Sequence, residues 1–292
     1  MIRIVTDSTC DLPAAEIEQH HIHEVPISIQ FGQTSFQEGI TLSRSDFYRK
    51  VEEYNQLPTT SQPSLGQFQE AYRLAAAEPG TDAILSLHIT SHLSGTYDAA
   101  VIAASQMPAE PPIHVFDSLS GSVGLGFMVL EAAQLAEMEK SVSEIMNRLS
   151  VLRDRMRIYF SLHDLCYARM SGRVGAAKAL LTSLLQIKSM LTVRGGQLAL
   201  QQQVRSQAQA MTSLVDALVA ALEDARAAGG NAAQTAKVAV IHAGAPELGE
   251  QLRTELSRRL RTTEIMVQDL STAIAVHFGP RTVGVVGYDA AP

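Results

Sequence analysis

The stretch Ile84-Leu85-Ser86-Leu87-His88-Ile89-Thr90-Ser91-His92-Leu93-Ser94-Gly95-Thr96-Tyr97 decides the fold. Ile84 to Ile89 is a short apolar run entered through Asp82, the pattern of a strand buried on both faces of a parallel sheet. The chain then turns through Thr90, Ser91, His92 and Ser94, and a long aliphatic helix is predicted from Gly95 to Met107, just before Pro108. A strand that gives way to hydroxyls and then to a helix N-terminus suits a small anion. Backbone N–H groups and the positive end of the helix dipole point at whatever lies there. Neither Ile84 to Tyr97 nor Thr60 to Glu70 contains a Lys or Arg. A singly charged carboxylate fits such a site better than a nucleoside triphosphate.

Upstream, Ile2 to Thr6 reads as the first strand, with Asp7-Ser8-Thr9 at its carboxyl end, where open parallel sheets place ligands. Capping of the helix near Pro13 explains Asp7 and Ser8 equally well. Val25 to Phe31 alternates like a half-buried edge strand, and Ser43 with Asp46 opens a helix through Tyr54. Pro58-Thr59-Thr60-Ser61-Gln62-Pro63-Ser64 is a second concentration of hydroxyls. Ser64 and Gln67 have capping-box spacing, so a helix runs from Leu65 to about Glu78 and places Thr60, Ser61 and Gln62 just ahead of its N-terminus.

Downstream, Ile113 to Phe116 is another buried strand ending in an Asp-Ser pair. The glycines at 121, 124 and 126 do not form the dinucleotide fingerprint, and close helix–strand packing accounts for them. A helix spans Ser143 to Asp154, beside the expected domain boundary. Beyond Arg157, strands at Ile158–Leu162, Ile187–Val193 and Leu198–Val204 mix with helices at Leu165–Met170, Ala176–Leu185 and Ser206–Ala228. Gly195-Gly196 is a hairpin signal. Val238–His242, Glu264–Asp269 and Thr282–Tyr288 complete the strands, with a helix at Pro246–Leu260. The fold class is α/β in two domains: an N-terminal, mostly parallel sheet flanked by helices, and a C-terminal α/β domain with a mixed or antiparallel sheet.

Composition narrows the function. The 292 residues are 46% hydrophobic and 5% aromatic without Trp, so the core is large and aliphatic. A net charge of −7 with no basic block argues against nucleic acid and anionic membranes. Two cysteines and no signal or membrane-spanning segment point to a cytoplasmic protein. The chain has no P-loop, no H-E-x-x-H, no EF-hand loop and no G-x-S-x-G elbow, and His20, His21 and His23 read as solvated rather than as a metal site. His88 reads as a satisfied core histidine. His277, apolar-flanked at a loop entrance, is suited to face a carboxylate.

Val5-Thr6-Asp7-Ser8-Thr9, Thr60-Ser61-Gln62-Pro63-Ser64 and Leu93-Ser94-Gly95-Thr96-Tyr97 resemble successive signatures of the DegV family. Ser171-Gly172-Arg173-Val174-Gly175 and His277-Phe278-Gly279-Pro280 resemble its C-terminal ones. The blocks run in the family's order over nearly the whole chain. The resemblance implies a cytoplasmic fatty-acid-binding protein of two α/β domains, serving lipid transport or fatty acid metabolism. Residues 1–155 would carry the carboxylate-binding hydroxyl loops, and residues 156–292 would cover the acyl chain. Thr60, Ser61 and Ser94 would hold the carboxylate of an acid such as palmitate, with His277 beside it. Arg173 would engage a fatty acid kinase catalytic subunit that forms the acyl phosphate. His92 stands where many members have Gly. No cofactor and no metal is implied, the bound acid being the ligand.

The energetics are consistent with this picture. Each buried methylene contributes about 0.8 kcal/mol, so a long acyl chain brings gross burial on the order of 10 kcal/mol. The head group then needs only to be satisfied, which hydroxyls, a helix dipole and an imidazole do without a buried Lys or Arg. The competing expectation is a serine acyl hydrolase with Ser94 as nucleophile, His277 as base, and Asp7 or Asp117 as orienting acid.

Overall fold

The computed structural model describes residues 1–54, 57–173, 188–227, 236–262 and 264–290. The predicted helix at 176–185 and the glycine stop at 229–230 lie outside them. By their contacts the residues form two units. Met1–Asp154 with Ser271–Ala273 is the first, and Arg155–Leu270 with Ile274–Pro292 is the second.

The first unit contains β1 (Ile2–Asp7), α1 (Ala14–Gln19), β2 (His23–Val25), β3 (Ser28–Phe31), β4 (Thr34–Gln37), α2 (Arg44–Tyr54), β5 (Thr59–Ser61), α3 (Leu65–Ala77), β6 (Ala83–His88), α4 (Thr96–Ser105), β7 (Ile113–Asp117) and α5 (Val123–Glu137), with most of α6 (Val142–Arg155). Its main sheet is parallel, in the order β2-β1-β6-β7. Every residue of β6 is buried, as its unbroken apolar pattern requires. Phe68, Tyr72 and Ala75 of α3 and Ala99, Ala100 and Ala103 of α4 pack against Val5 and Ile84. The small residues of α4 let it lie close to α3 and the sheet.

One expectation is corrected here. The predicted strand from Val25 to Phe31 is two strands in two sheets, because Pro26 cannot donate to a ladder and breaks the run. β3 is the centre of a small antiparallel sheet, β4-β3-β5, which the sequence reading missed. The capping box at Ser64 and Gln67 is formed as predicted.

The second unit holds β8 (Arg157–Ser161), α7 (Leu165–Ser171), β9 (Lys188–Arg194), β10 (Gln197–Val204), α8 (Gln207–Ala227), β11 (Ala236–His242), α9 (Pro246–Leu260), β12 (Ile265–Asp269) and β13 (Val283–Asp289). α10 (Thr272–Phe278) begins among the first unit's residues and continues in the second. The sheet is mixed, in the order β10-β9-β8-β13-β11-β12, with only β11 and β12 parallel. Gly195 and Gly196, at φ +53° and +78°, close the β9–β10 hairpin. Leu214, Leu218 and Leu222 of α8 and Leu252 and Leu256 of α9 form the core over the sheet with Val240 and Val285.

Candidate functional site

The chain leaves β1 toward β2 on one side of the parallel sheet and leaves β6 toward β7 on the other. The crevice at a reversal of this kind lies beyond the carboxyl ends of the two central strands. Asp7 follows the last β1–β6 pair, Thr6 with Leu87, and His88 pairs with Asp117. Asp7, His88 and Asp117 thus share one row across the sheet's edge. Asp7 Oδ2 accepts from Ile89 N–H at 3.0 Å. From the other side, Asp117 accepts from Ser91 N–H at 3.3 Å and from Leu119 N–H at 3.0 Å. Thr90 N–H donates to Ser120 C=O at 2.8 Å. Two carboxylates at strand ends therefore clamp the loop between β6 and α4. The sequence reading had singled out both Asp-Ser pairs without seeing this shared role.

Ser94 is partly exposed beyond the clamp. Its Oγ lies 2.8 Å from Thr96 Oγ1 and accepts from Thr96 N–H at 3.3 Å. Thr60 and Ser61 are in β5, paired with Ile29 and Ser28, rather than in an irregular loop, and the chain reaches α3 at Leu65. The two hydroxyl segments meet through Gln62 and Gly95. A Cβ on Gly95 would stand 2.7 Å from Gln62 Oε1, so only the bare α-carbon lets the Gln62 side chain lie there. His92, the departure from the family pattern, is exposed.

The same unit holds two buried acids absent from the sequence reading. Glu38 accepts from Ser8 Oγ at 2.6 Å, Thr272 Oγ1 at 2.7 Å and Ala273 N–H at 3.1 Å. Asp11 accepts from Ser122 Oγ at 2.5 Å and Ser271 N–H at 2.6 Å, with Arg44 at 3.6 Å. Burial raises the Asp11 carboxyl to about 8, against the opposing pull of Arg44. These bonds bind Ser271–Ala273 into the first unit. Sequence offers no marker for them, because their hydrogen-bond partners lie 30 to 260 positions away.

In the second unit, Arg173 follows α7 and His277 lies in the last turn of α10. The prediction had put His277 in a loop between strands, and the helix there was missed. Gly172 and Gly279, at φ +72° and +81°, follow α7 and α10 in the left-handed conformation. The Tyr167 ring presses on Gly279, where a Cβ would stand 2.5 Å from Cδ2. Phe278 lies against Phe160 with ring centroids 4.9 Å apart. Arg173 donates from Nη1 to Ser171 C=O at 2.7 Å. His277 is lowered to about 4, first by burial and then by the Arg173 charge, so the two side chains share one electrostatic neighbourhood.

The DegV family model, described as "Uncharacterised protein, DegV family", matches residues 1–289. This chain belongs to the DegV family. A DegV domain-containing protein of Streptomyces coelicolor is 35% identical over 98% of this chain and 97% of its own length. A DegV family protein from Thermus thermophilus, whose structure is described as showing fatty acid binding, is 32% identical with TM-score 0.89 over 99% of both chains. A stearic-acid-binding protein from Eubacterium ventriosum is 25% identical with TM-score 0.91, again over 99% of both chains. The two-domain DegV α/β fold, with a parallel sheet first and a mixed sheet second, is therefore established.

The solved DegV proteins of Thermus thermophilus and Bacillus subtilis are described as fatty-acid binders, and the hydrolase reading finds no support. Asp7 and Asp117, the acids offered to orient a base, are committed to His88 and to the backbone of the 89–95 loop. Among the described residues no group of three or more His, Cys, Asp and Glu is placed to hold a metal, and no helix is long and apolar enough to cross a membrane.

Proposed function

We propose that this DegV protein is a carrier rather than an enzyme: it binds one long-chain fatty acid, such as palmitate, and presents the carboxylate to a kinase partner for acyl phosphate formation. The observation that carries the reading is the meeting of two hydroxyl-bearing segments at Gln62 and Gly95, each just ahead of a helix N-terminus and without a cation in either segment. Such a site satisfies a carboxylate through N–H and O–H donors while the acyl chain supplies the affinity. Thr60, Ser61 and Ser94 are assigned to the head group. Fatty acid binding by relatives of full-length similarity supports the ligand class. The resemblance to the family supports the rest: residues 1–155 for the head group, residues 156–292 for the acyl chain, His277 beside the carboxylate, Arg173 for docking, and a cytoplasmic setting.

Denaturing extraction and mass spectrometry of the purified protein should recover a fatty acid at about one per chain. Recovery of none, with no uptake of added long-chain acid, would remove the proposal. For the partner, Arg173→Ala is expected to keep its lipid and lose acyl phosphate formation with a cognate kinase. Loss of lipid with unchanged kinase affinity would instead put Arg173 in the ligand pocket.

A further inference from the structure

Four side chains with no solvent exposure, Asp7, His88, Ser86 and Tyr72, form a polar chain through an otherwise apolar core. His88 Nδ1 stands 3.0 Å from Asp7 Oδ2, and His88 Nε2 stands 2.6 Å from Ser86 Oγ. Ser86 Oγ is in turn 3.0 Å from the Tyr72 hydroxyl, which lies 3.3 Å from Ala100 C=O in α4. The Phe68 ring of α3 meets the imidazole edge-on, with centroids 5.1 Å apart. Thr9 N–H and Oγ1 occupy Asp7 Oδ1 at 3.1 and 2.5 Å. A carboxylate can only accept, so Nδ1 carries the proton that faces Asp7.

The sequence Asp–His–Ser suggests a hydrolytic triad, but Ser86 is sealed in the core with Tyr72 beyond it, out of reach of any substrate. The plain alternative is a satisfied core network with no further role. Apolar side chains of similar shape would fill the space as stably, so burying four polar groups in series is not explained by stability alone. What the chain contacts at its ends distinguishes it. One end holds Ile89 N–H, the first amide of the 89–95 loop. The other reaches α3 through Tyr72 and α4 through Ala100, the helices that begin behind the two hydroxyl segments. Hydrogen bonds fix direction as well as distance, which dispersion contacts do not.

We propose that Asp7, His88, Ser86 and Tyr72 are positioning residues for the head-group site, joining the 89–95 loop to α3 and α4 so that Ser94 and Thr60 stay aligned on a single carboxylate. The assignment deepens the fatty-acid reading and rests on it for the ligand's identity. Two measurements test it, on Tyr72→Phe, Ser86→Ala, His88→Leu and His88→Asn. The first compares binding of palmitate with that of methyl palmitate. Misaligned donors should weaken the acid about tenfold and leave the ester unchanged, since only the acid offers a charged acceptor. His88→Asn, whose amide can still donate to Asp7, should recover part of the loss that His88→Leu shows. General loosening of the core would weaken acid and ester alike, and that result overturns the proposal, as does no change in either.

The second measurement follows amide exchange in delipidated protein. Faster exchange confined to residues 89–96, with unchanged protection in β1 and β6, is expected; unchanged exchange in that loop overturns the assignment. If the wild type binds neither lipid, the fatty-acid reading fails and exchange alone decides whether the chain positions the loop. If His88→Leu does not fold, Tyr72→Phe, which removes one oxygen, still decides both.

Discussion

The two units present their polar groups from opposite ends of helices. In the first, Ser94 and the 60–64 segment stand at the starts of α4 and α3, where N–H groups and the dipole favour an anion. Acids at the strand ends, the buried Asp7 and the half-buried Asp117, hold that backbone in place. In the second, Arg173 and His277 stand at the ends of α7 and α10, where the dipole favours a cation. There the Tyr167 ring packs against the bare α-carbon of Gly279, beside the Arg173 bond to Ser171 C=O. The first set is therefore aligned by bonds from distant carboxylates and the second relies on steric fit as well, and substitutions should affect them differently.

The largest effect is expected where the steric fit is tight. Gly279→Ala must adopt φ +81° and push its methyl into the Tyr167 ring. Left-handed strain and overpacking together should cost about 2–4 kcal/mol of stability in urea denaturation. A loss under half a kcal/mol would show that the ring moves freely and that shape does not hold this region. Ser94→Ala should come next, in affinity rather than stability. Losing a hydrogen bond to a charged acceptor costs about 1.5–3 kcal/mol, roughly ten- to a hundredfold in Kd for palmitate, with the melting temperature kept. Calorimetric titration that finds equal affinities would remove Ser94 from the site.

Gly95→Ala sharpens the contrast with Gly279. Its φ of −75° suits any residue, and the atoms nearest the added methyl are the movable end of Gln62. Stability should stay within about 1 kcal/mol of wild type while palmitate affinity falls several-fold, because Gln62 must leave its place. The gentlest test is pH. Asp11, raised from 3.8 to about 8, binds its proton more tightly folded than unfolded, so its contribution is lost as pH rises between those values. His277, lowered from 6.5 to about 4, does the reverse, and its contribution is lost as pH falls from 6.5 to about 4. Denaturation across pH should show Asp11→Asn flattening the alkaline decline and His277→Gln the acidic one. Arg173→Ala should raise the His277 midpoint in an NMR titration while leaving it below 6.5, since burial remains the larger cause.

Legibility in the sequence followed the range of the interactions. The buried strand Ala83–His88, the capping box at Ser64 and Gln67, and the helix Pro246–Leu260 rest on local pattern, and the residues announced them. His88 was recognisable as a satisfied core histidine, because an imidazole inside an all-buried strand must find partners. Its partners were not recognisable: Asp7 lies 81 positions away and Tyr72 belongs to a different element. β4 and β5 escaped because three- and four-residue strands in a small sheet carry too few alternations to show a period. The helix Thr272–Phe278 was hidden for another reason. Its start is capped by Glu38, from the far end of the chain, so the local signal is confined to the Gly279-Pro280 stop.

That distant cap bears on how the protein can be cut. A fragment ending at Asp154 would contain all the strands of the parallel sheet and yet be missing three residues that belong to it. Glu38 would lose the Thr272 hydroxyl and the Ala273 amide, and Asp11 would lose the Ser271 amide. Both carboxyls would then face either a vacant groove or bulk water. The shortest self-sufficient version of the first unit is therefore discontinuous: residues 1–154 joined by a short linker to a segment containing 271–273.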